Sequence, residues 1–237
     1  MKNHLKKPIL LLFFFLSLIA ELSSGEKGKV IAFSGLSCTG KSTLAKELAK
    51  ELSAQCLLEP EEENWPLVCR KGEEYGSFTM FMGFREMWLP HLYTAQKLKN
   101  KNELVFLDTF FIKTTLYELD APGMEWIFDP KDPYYSVFRE VCRLDIEHLP
   151  DPDCIVFFKL DEKIWKQFLA ARPRDWDQIP GFLDSFDQSY AALQGAIIRL
   201  CQERNIPLIY FQQDYGDITT QTFALKKELI HAGVIAP

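Results

Sequence analysis

Short apolar runs alternate along this chain with longer segments in which apolar residues recur at helical spacing. Five runs are continuous enough to form strands buried on both faces: Lys29–Phe33, Cys56–Leu58, Leu104–Leu107, Cys154–Leu160 and Leu208–Phe211. The longer segments predict helices at Lys41–Ser53, Phe78–Asn100, Phe110–Leu119, Tyr134–His148, Glu162–Ala171, Leu183–Arg204 and Thr219–Ala232. The alternation predicts an α/β protein with a doubly wound, parallel five-stranded sheet flanked by helices.

The N-terminal segment has a different pattern. Basic residues up to Lys7, an apolar run from Ile9 to Ala20 and small residues around Gly25 follow the order of a secretory signal peptide. The apolar run is short for a bilayer span, which needs about 20 residues. An uncleaved anchor and a mis-assigned start codon are the alternatives. We therefore divide the chain into residues 1–25, a signal-like segment, and residues 26–237, a folded domain.

Composition narrows the classes of function. The chain has 237 residues, of which 47% are hydrophobic and 25% are charged, as in a globular domain with a full core. The net charge of −6 argues against a nucleic-acid-binding surface, which is normally basic. Nucleic acid is therefore not an expected partner.

One motif stands between the first predicted strand and the first predicted helix. Residues 35–42 match the pattern G-x-x-x-x-G-K-[ST] of a phosphate-binding P-loop, and a chance match in a glycine-rich turn is the weaker alternative because both flanks are correct. Lys41 would reach the β and γ phosphates of ATP, and Ser42 would offer its hydroxyl to Mg²⁺. The nucleotide-binding residues predicted here are Gly35, Leu36, Ser37, Cys38, Thr39, Gly40, Lys41, Ser42 and Thr43.

Two acidic residues follow other predicted strands. Asp108 ends the apolar run Leu104–Leu107, a Walker B pattern that brings a carboxylate to the Mg²⁺ beside Ser42. The alternative is that Asp108 is the N-cap of the next helix. Glu59 follows the second strand and would face the same crevice, where it can accept a proton from a hydroxyl. The alternative is a solvated acidic loop, because Glu61–Glu63 follow.

Three arginines and an aromatic residue complete the candidate site. Arg172 and Arg174 follow the predicted helix Glu162–Ala171 and can clamp phosphoryl charge from a mobile lid, or simply end that helix at the surface. Arg85 lies on an aromatic helix, where it can contact the acceptor or pair with a neighbouring acid such as Glu86. Phe81 on that helix can stack on a base or pack in the core.

The order of these parts resembles the deoxynucleoside kinase and thymidylate kinase group of P-loop kinases over residues 29–211. The resemblance implies ATP at the P-loop, Mg²⁺ near Ser42 and Asp108, and a lid carrying Arg172 and Arg174. In deoxynucleoside kinases the glutamate of a Glu-Pro pair, here Glu59-Pro60, is the base toward the sugar 5′-hydroxyl. In thymidylate kinases an arginine at the position of Arg85 holds the phosphate of the acceptor.

Other details of the resemblance differ between the two families. The segment Phe182–Tyr190 resembles the thymidylate kinase version. Both families usually place an arginine after the acid of the third strand, whereas Thr109 follows Asp108 here. Deoxynucleoside kinases also carry a glutamine that reads the base, and Phe81 or Met82 occupies that region.

These observations predict an ATP- and Mg²⁺-dependent kinase of a (deoxy)nucleoside or a nucleoside monophosphate. The alternatives are a nucleotide-binding or interaction module without turnover, and a P-loop kinase of another small metabolite. The expected partner is a small-molecule substrate. Contact with a membrane is expected only through residues 9–20. Analogy with the resembled family also suggests a homodimer.

Location in the cell receives conflicting signals. The six cysteines are scattered without the spacing of a disulfide framework, and ATP is plentiful in the cytosol. Both observations favour the cytoplasm, whereas residues 1–25 favour export or a membrane anchor.

Overall fold

The computed structural model describes residues 28–110, 112–172 and 183–237, so the signal-like segment and Arg174 lie outside the described residues. Five strands form one sheet: β1 Lys29–Ser34, β2 Gln55–Leu57, β3 Leu104–Leu107, β4 Cys154–Lys159 and β5 Leu208–Gln212. All neighbouring strands are parallel, in the spatial order β2-β3-β1-β4-β5. The predicted fold class is confirmed.

The helices connect the strands. The described residues contain α1 Lys41–Leu52, α2 Leu67–Arg70, α3 Gly72–Tyr75, α4 Ser77–Lys99, α5 Thr115–Leu119, α6 Tyr135–His148, α7 Glu162–Ala171, α8 Phe186–Arg204 and α9 Ile218–His231. Short 3₁₀ turns lie at Glu62–Asn64, Ile112–Thr114 and Leu183–Ser185. None of the described helices has the length and apolar character needed to cross a membrane.

Strand β1 is the centre of the sheet and is buried on both faces. Its side chains alternate between the faces because successive residues of a strand point in opposite directions. Ile31 and Phe33 pack with residues of α1 and α9. Val30 and Ala32 pack with residues of α4 and α8. With both faces covered by helices, the carboxyl edge of the sheet is left for the site.

The predicted single helix Phe110–Leu119 is wrong. After β3 the backbone N–H of Phe110 donates to the carbonyl oxygen of Phe33 at 3.0 Å, so the chain first follows the end of β1. Lys113 is then fully buried, and its Nζ donates to the carbonyl oxygen of Leu149 at 2.7 Å. Helical structure therefore starts with a 3₁₀ turn at Ile112, and α5 begins only at Thr115.

The acidic segment after β2 contains more structure than the sequence predicts. Trp65 is 7% exposed, donates from Nε1 to the carbonyl oxygen of Pro60 at 2.8 Å and packs edge-on against Phe84. This anchor holds the segment against α4, and the four-residue helices α2 and α3 follow it. Helices this short have too few residues to show a periodic pattern.

Candidate active site

The phosphate loop begins where β1 ends, and its glycines adopt unusual backbone conformations. Gly35 has a φ of +146° and Gly40 has a φ of +77°, values that other residues rarely reach. A Cβ atom at Gly40 would lie 2.7 Å from Nε2 of Gln213, a buried residue that follows β5. The backbone conformation therefore favours glycine at Gly40, and a Cβ atom there would also have to displace the end of the Gln213 side chain.

Lys41 is the first residue of α1 and bends back over the loop. Its Nζ donates to the carbonyl oxygens of Leu36 at 2.5 Å and Gly35 at 3.1 Å, and to Oγ1 of Thr39 at 3.3 Å. The ammonium group therefore lies at the loop itself, where the helix N-terminus also favours an anion.

Helix α7 supports the loop from outside. Trp165 is 1% exposed, and its Nε1 donates to the carbonyl oxygen of Ser37 at 3.0 Å. The ring of Phe168 lies 3.4 Å from the position that a Cβ of Gly40 would take. These two aromatic side chains hold the loop in place. Neither residue was predicted to belong to the site, although their spacing of three residues is typical of one face of a helix.

Asp108 follows β3 beside the phosphate loop and is 1% exposed. Its Oδ2 accepts a hydrogen bond from the hydroxyl of Ser42 at 2.7 Å, while its buried Oδ1 has no hydrogen-bond partner among the described residues. Asp108 is not the N-cap of the next helix, because helical structure resumes only at Ile112. A carboxylate oxygen without a donor, next to a serine hydroxyl, fits Mg²⁺, which prefers oxygen ligands.

Glu59 lies after β2 and is tied to the end of β3. Its backbone N–H donates to Oδ2 of Asp108 at 3.4 Å, and its Oε2 accepts a hydrogen bond from the hydroxyl of Thr109 at 3.1 Å. The backbone N–H of Asp108 donates in turn to the carbonyl oxygen of Leu57 at 3.0 Å. The structure therefore brings Ser42, Asp108 and Glu59 together at the carboxyl edge of the sheet.

Arg85 of α4 forms an ion pair with Asp145 of α6 rather than with the adjacent Glu86. Its Nε donates to Oδ2 at 2.8 Å, and a terminal nitrogen donates to Oδ1 at 2.7 Å. The side chain of Asp145 is only 5% exposed. The hydrogen bond to Asp145 raises the pKa of the Arg85 guanidinium group. Arg85 is therefore charged, and a buried carboxylate balances that charge.

This ion pair belongs to a small cleft between α4 and α6. The α4–α6 cleft is lined by Phe81, Arg85, Thr115, Phe138, Cys142 and Asp145, and it has room for about one water molecule. Phe81 packs against Phe138 with ring centroids 5.0 Å apart. Phe81 and Arg85, both predicted to contact substrate, therefore share one wall.

A buried carboxyl group lies next to this cleft on α5. Glu118 is one turn beyond Thr115, is 3% exposed, and its Oε2 has no hydrogen-bond partner among the described residues. Burial raises the pKa of Glu118 to about 8. Most Glu118 side chains are therefore neutral at pH 7. Glu118 was not predicted from the sequence, because a helix of five residues does not reveal which side chains point inward.

The lid arginines are described only in part. Arg172 follows α7, and its guanidinium group pairs with the carboxylate of Glu61 in the segment after β2. Both side chains are about half exposed. Arg174 lies outside the described residues. The role of these arginines in phosphoryl transfer stays a prediction.

Asp145 was not predicted from the sequence either, although the sequence carries a signal for it. Phe138, Cys142 and Asp145 recur at the spacing i, i+4, i+7 and form the buried face of α6. A carboxylate in such an apolar stripe indicates a buried partner of opposite charge. Identifying Arg85 as that partner needs the tertiary structure.

Comparisons with known proteins support this fold. A family model described as an AAA domain matches residues 30–129, which contain the phosphate loop, Glu59, Arg85 and Asp108. No curated protein sequence matches the chain. Among solved structures, deoxyadenosine kinase from M. mycoides with bound dATP has a TM-score of 0.60 at 19% identity, covering 85% of this chain and 98% of that one.

Two further structures agree with this result. The same M. mycoides enzyme with the products dCMP and dCDP has a TM-score of 0.58 at 18% identity, covering 85% of this chain and 99% of that one. Thymidylate kinase from Candida albicans has a TM-score of 0.56 at 19% identity, and the match covers 87% of this chain and 92% of that one. Likeness at this identity shows the fold, so the resemblance found in the sequence is confirmed at that level.

Proposed function

We propose that this chain is a kinase that uses ATP and Mg²⁺ to phosphorylate a hydroxyl group of a (deoxy)nucleoside. The observation that carries the proposal is that Ser42 and Glu59 both contact the carboxylate of Asp108, Ser42 through its side chain and Glu59 through its backbone. Oδ2 of Asp108 accepts from the Ser42 hydroxyl at 2.7 Å and from the backbone N–H of Glu59 at 3.4 Å. A phosphate-binding element, a metal-binding carboxylate and a candidate base therefore lie within reach of one reacting centre.

The phosphate loop provides the donor half of the reaction. Its backbone amides and Lys41 bind the ATP phosphates, and Lys41 offsets the charge of the phosphoryl group during transfer. Ser42 and Asp108 would hold Mg²⁺, which neutralises phosphate charge when bound. Phosphoryl transfer of this kind depends mainly on positioning and electrostatics, which a rigid loop braced by α7 can supply.

Glu59 provides the acceptor half. The acceptor oxygen attacks the γ-phosphorus, its proton passes to the Glu59 carboxylate, and the bond from phosphorus to the bridging oxygen of ADP breaks. The products are ADP and a phosphorylated acceptor, and Glu59 returns its proton to solvent. Arg172 would approach the transferring group from the end of α7.

The pairing of Arg85 with Asp145 supports an uncharged nucleoside as the acceptor rather than a monophosphate. Each hydrogen bond of the pair is shorter than 3 Å, and Asp145 is almost fully buried. A phosphate would have to displace this carboxylate, or bind a cation whose charge is already balanced. A nucleoside does not require either event.

A nucleotide-binding module without turnover is the second candidate. It is favoured by Thr109, which stands where the resembled kinases carry an arginine. Such a protein would bind ATP through the same phosphate loop but would not release ADP when an acceptor is added.

The test is ADP release by the full chain with Mg²⁺ and ATP, against a panel of nucleosides and nucleoside monophosphates. The proposal expects turnover with one or more nucleosides and its loss in Lys41→Ala. Turnover only with monophosphates would contradict the nucleoside as acceptor and would favour a role for Arg85 in binding the phosphate of the acceptor. Binding of ATP without turnover on any acceptor would favour the binding module.

A further inference from the structure

A buried glutamine lies against the phosphate loop on the side of β5. Gln213 follows β5 directly and is 3% exposed. Its backbone N–H donates to the carbonyl oxygen of Lys159 at 2.7 Å, which ties its main chain to the end of β4. Its Nε2 lies 2.7 Å from the position that a Cβ of Gly40 would take. The side-chain amide therefore reaches the phosphate loop from a strand that the proposed mechanism does not use.

The oxygen of this amide has no partner. Oε1 of Gln213 is buried and accepts no hydrogen bond from any residue that the structure describes. A buried polar atom without a partner destabilises the folded state, so its presence beside a ligand-binding loop indicates a partner that arrives with the ligand. Because no hydrogen bond holds this oxygen in place, the long, unbranched side chain can turn about its own bonds toward a bound molecule.

The order of the strands indicates which part of a bound ATP lies near Gln213. Strands β3 and β2, which precede Asp108 and Glu59, lie on one side of β1, and β4 and β5 lie on the other side. In the proposed reaction the γ-phosphate lies beside Asp108 and Glu59. The nucleoside is at the opposite end of the triphosphate and therefore extends toward β4 and β5.

We propose that Gln213 determines the specificity for the donor nucleotide, because its side-chain amide pairs with the edge of adenine that carries the amine and N7. This inference rests on the proposed function. The amide offers a donor next to an acceptor, and this edge of adenine offers the complementary acceptor and donor. The phosphates of ATP offer acceptors only, so they cannot satisfy Oε1. A ribose hydroxyl is the other group of ATP that can donate to Oε1, and the experiment separates the two.

Two aromatic residues beside Gln213 fit a planar base. Phe168 of α7 packs edge-on against Tyr215, with ring centroids 5.0 Å apart. The ring of Phe168 also lies 3.4 Å from the Cβ position of Gly40, so it approaches the same point of the loop as the amide of Gln213. Tyr215 is 51% exposed, which leaves half of this residue accessible to a base. Stacking on an aromatic ring would add to the hydrogen bonds of the amide.

The experiment measures nucleotide binding to the full chain by calorimetry, with Mg²⁺ and without an acceptor. ATP is compared with ITP, in which a carbonyl oxygen replaces the amine, and with 2′-deoxy-ATP and 3′-deoxy-ATP, which each lack one ribose hydroxyl. We expect the wild type to bind ATP about tenfold more tightly than ITP. Gln213→Met keeps the length of the side chain without the amide and should bind both alike. Gln202→Met, at an exposed glutamine of α8, is the matched control and should keep the preference.

The ratio of two dissociation constants separates recognition of the base from support of the loop. An equal loss of affinity for every nucleotide in Gln213→Met, or a wild type that binds all four alike, would overturn the proposal. A preference against a deoxy analogue that disappears in Gln213→Met, with ITP unaffected, would overturn the pairing with adenine and identify ribose as the partner.

A second variant guards against misfolding. Gln213→Leu repeats the comparison with another apolar side chain, and thermal unfolding without nucleotide shows whether each variant folds. Both variants should be at least as stable as the wild type, because they remove a buried polar atom that has no partner among the described residues.

The two proposals fail in different ways. A wild type that binds ATP in preference to ITP but phosphorylates no acceptor contradicts the proposed function and leaves the role of Gln213 supported. A wild type that transfers phosphate from ATP and from ITP with equal kcat/KM contradicts only the role of Gln213.

Discussion

The phosphate loop and the α4–α6 cleft each hold a cation in a different way. Lys41 contacts backbone and hydroxyl oxygens of its own loop, all within six residues of it in the chain. Arg85 contacts a carboxylate 60 residues away on another helix. The positive charge of Lys41 therefore remains available for phosphate at the loop. The positive charge of Arg85 is instead neutralised by the carboxylate of Asp145. In the proposed reaction, the phosphate loop belongs to the donor half of the site, and Arg85 lies on the side of the acceptor.

The largest expected effect lies in the phosphate loop. Lys41→Ala should lower kcat/KM by roughly 10³-fold, because the variant loses the cation that offsets phosphoryl charge in the transition state. Steady-state ADP release measures this loss. Lys46→Ala, at an exposed position of α1, is the control. Activity within threefold of the wild type would show that the loop is not the donor site.

The second effect lies at the boundary between the two halves. Glu59→Gln should lower kcat with a nucleoside by about 10²-fold, since general-base catalysis typically contributes 10² to 10⁴. ATP binding, measured by calorimetry, should be unchanged because the loop is intact. Glu63→Gln changes an exposed glutamate nearby and should have no effect. An equal loss of ATP affinity would mean that Glu59 supports the loop rather than the acceptor.

The third effect concerns stability next to the cleft. Glu118 keeps its proton to about pH 8 in the folded state, against an ordinary value of 4.5, so the folded state binds more protons between these pH values. Stability of the wild type therefore falls as pH rises through this window. Glu118→Gln does not titrate and should be more stable than the wild type at pH 9 by about 5 kcal/mol, because the shift from 4.5 to about 8 is worth about 1.4 kcal/mol per pKa unit.

Denaturant unfolding at pH 5 and pH 9 measures this difference, which should be small at pH 5. Glu125→Gln, an exposed glutamate close in the chain, is the control. A Glu118→Gln variant whose advantage is the same at both pH values would indicate a packing effect instead of titration.

The smallest expected effect concerns the ion pair between Arg85 and Asp145 in the α4–α6 cleft. Asp145→Asn keeps the shape but removes the compensating charge, so Arg85 regains an attraction for phosphate. The ratio of kcat/KM for a monophosphate to that for the nucleoside should rise about tenfold, equivalent to about 1.4 kcal/mol.

Competition between the two acceptors in one assay gives this ratio. Glu140→Gln, which alters an exposed ion pair on the same helix, should leave the ratio unchanged. If Asp145→Asn leaves it unchanged as well, the Arg85–Asp145 pair does not select the acceptor.

The parts that sequence could predict are those encoded locally. The phosphate loop is contiguous, and the strands are apolar runs, so their positions were predicted to within one or two residues. The acid Asp108 was found because it ends such a run. Arg85 was also singled out, but its partner Asp145 could not be, because an ion pair between helices depends on how α4 and α6 pack.

The errors have the same origin. A continuous helix from Phe110 was expected because the local pattern allows it, but a backbone hydrogen bond to Phe33 and the burial of Lys113 fix a different path. From the sequence, Thr109 was noted only because the resembled families usually have an arginine at this position. Its hydrogen bond to Glu59 became visible once β2 and β3 were placed side by side.

The location of Glu59 after an edge strand has a consequence for local fluctuations. Strand β2 has three residues and pairs with β3 alone, whereas β1, at the centre of the sheet, pairs on both sides. Opening of an edge strand costs less free energy than opening of the sheet centre, so amide exchange should be faster at β2 than at β1. Such an opening would detach the base and leave the phosphate loop intact. In the proposed kinase, nucleotide would then stay bound while Glu59 is out of place, and the equilibrium between open and closed β2 would set the fraction of molecules that can react.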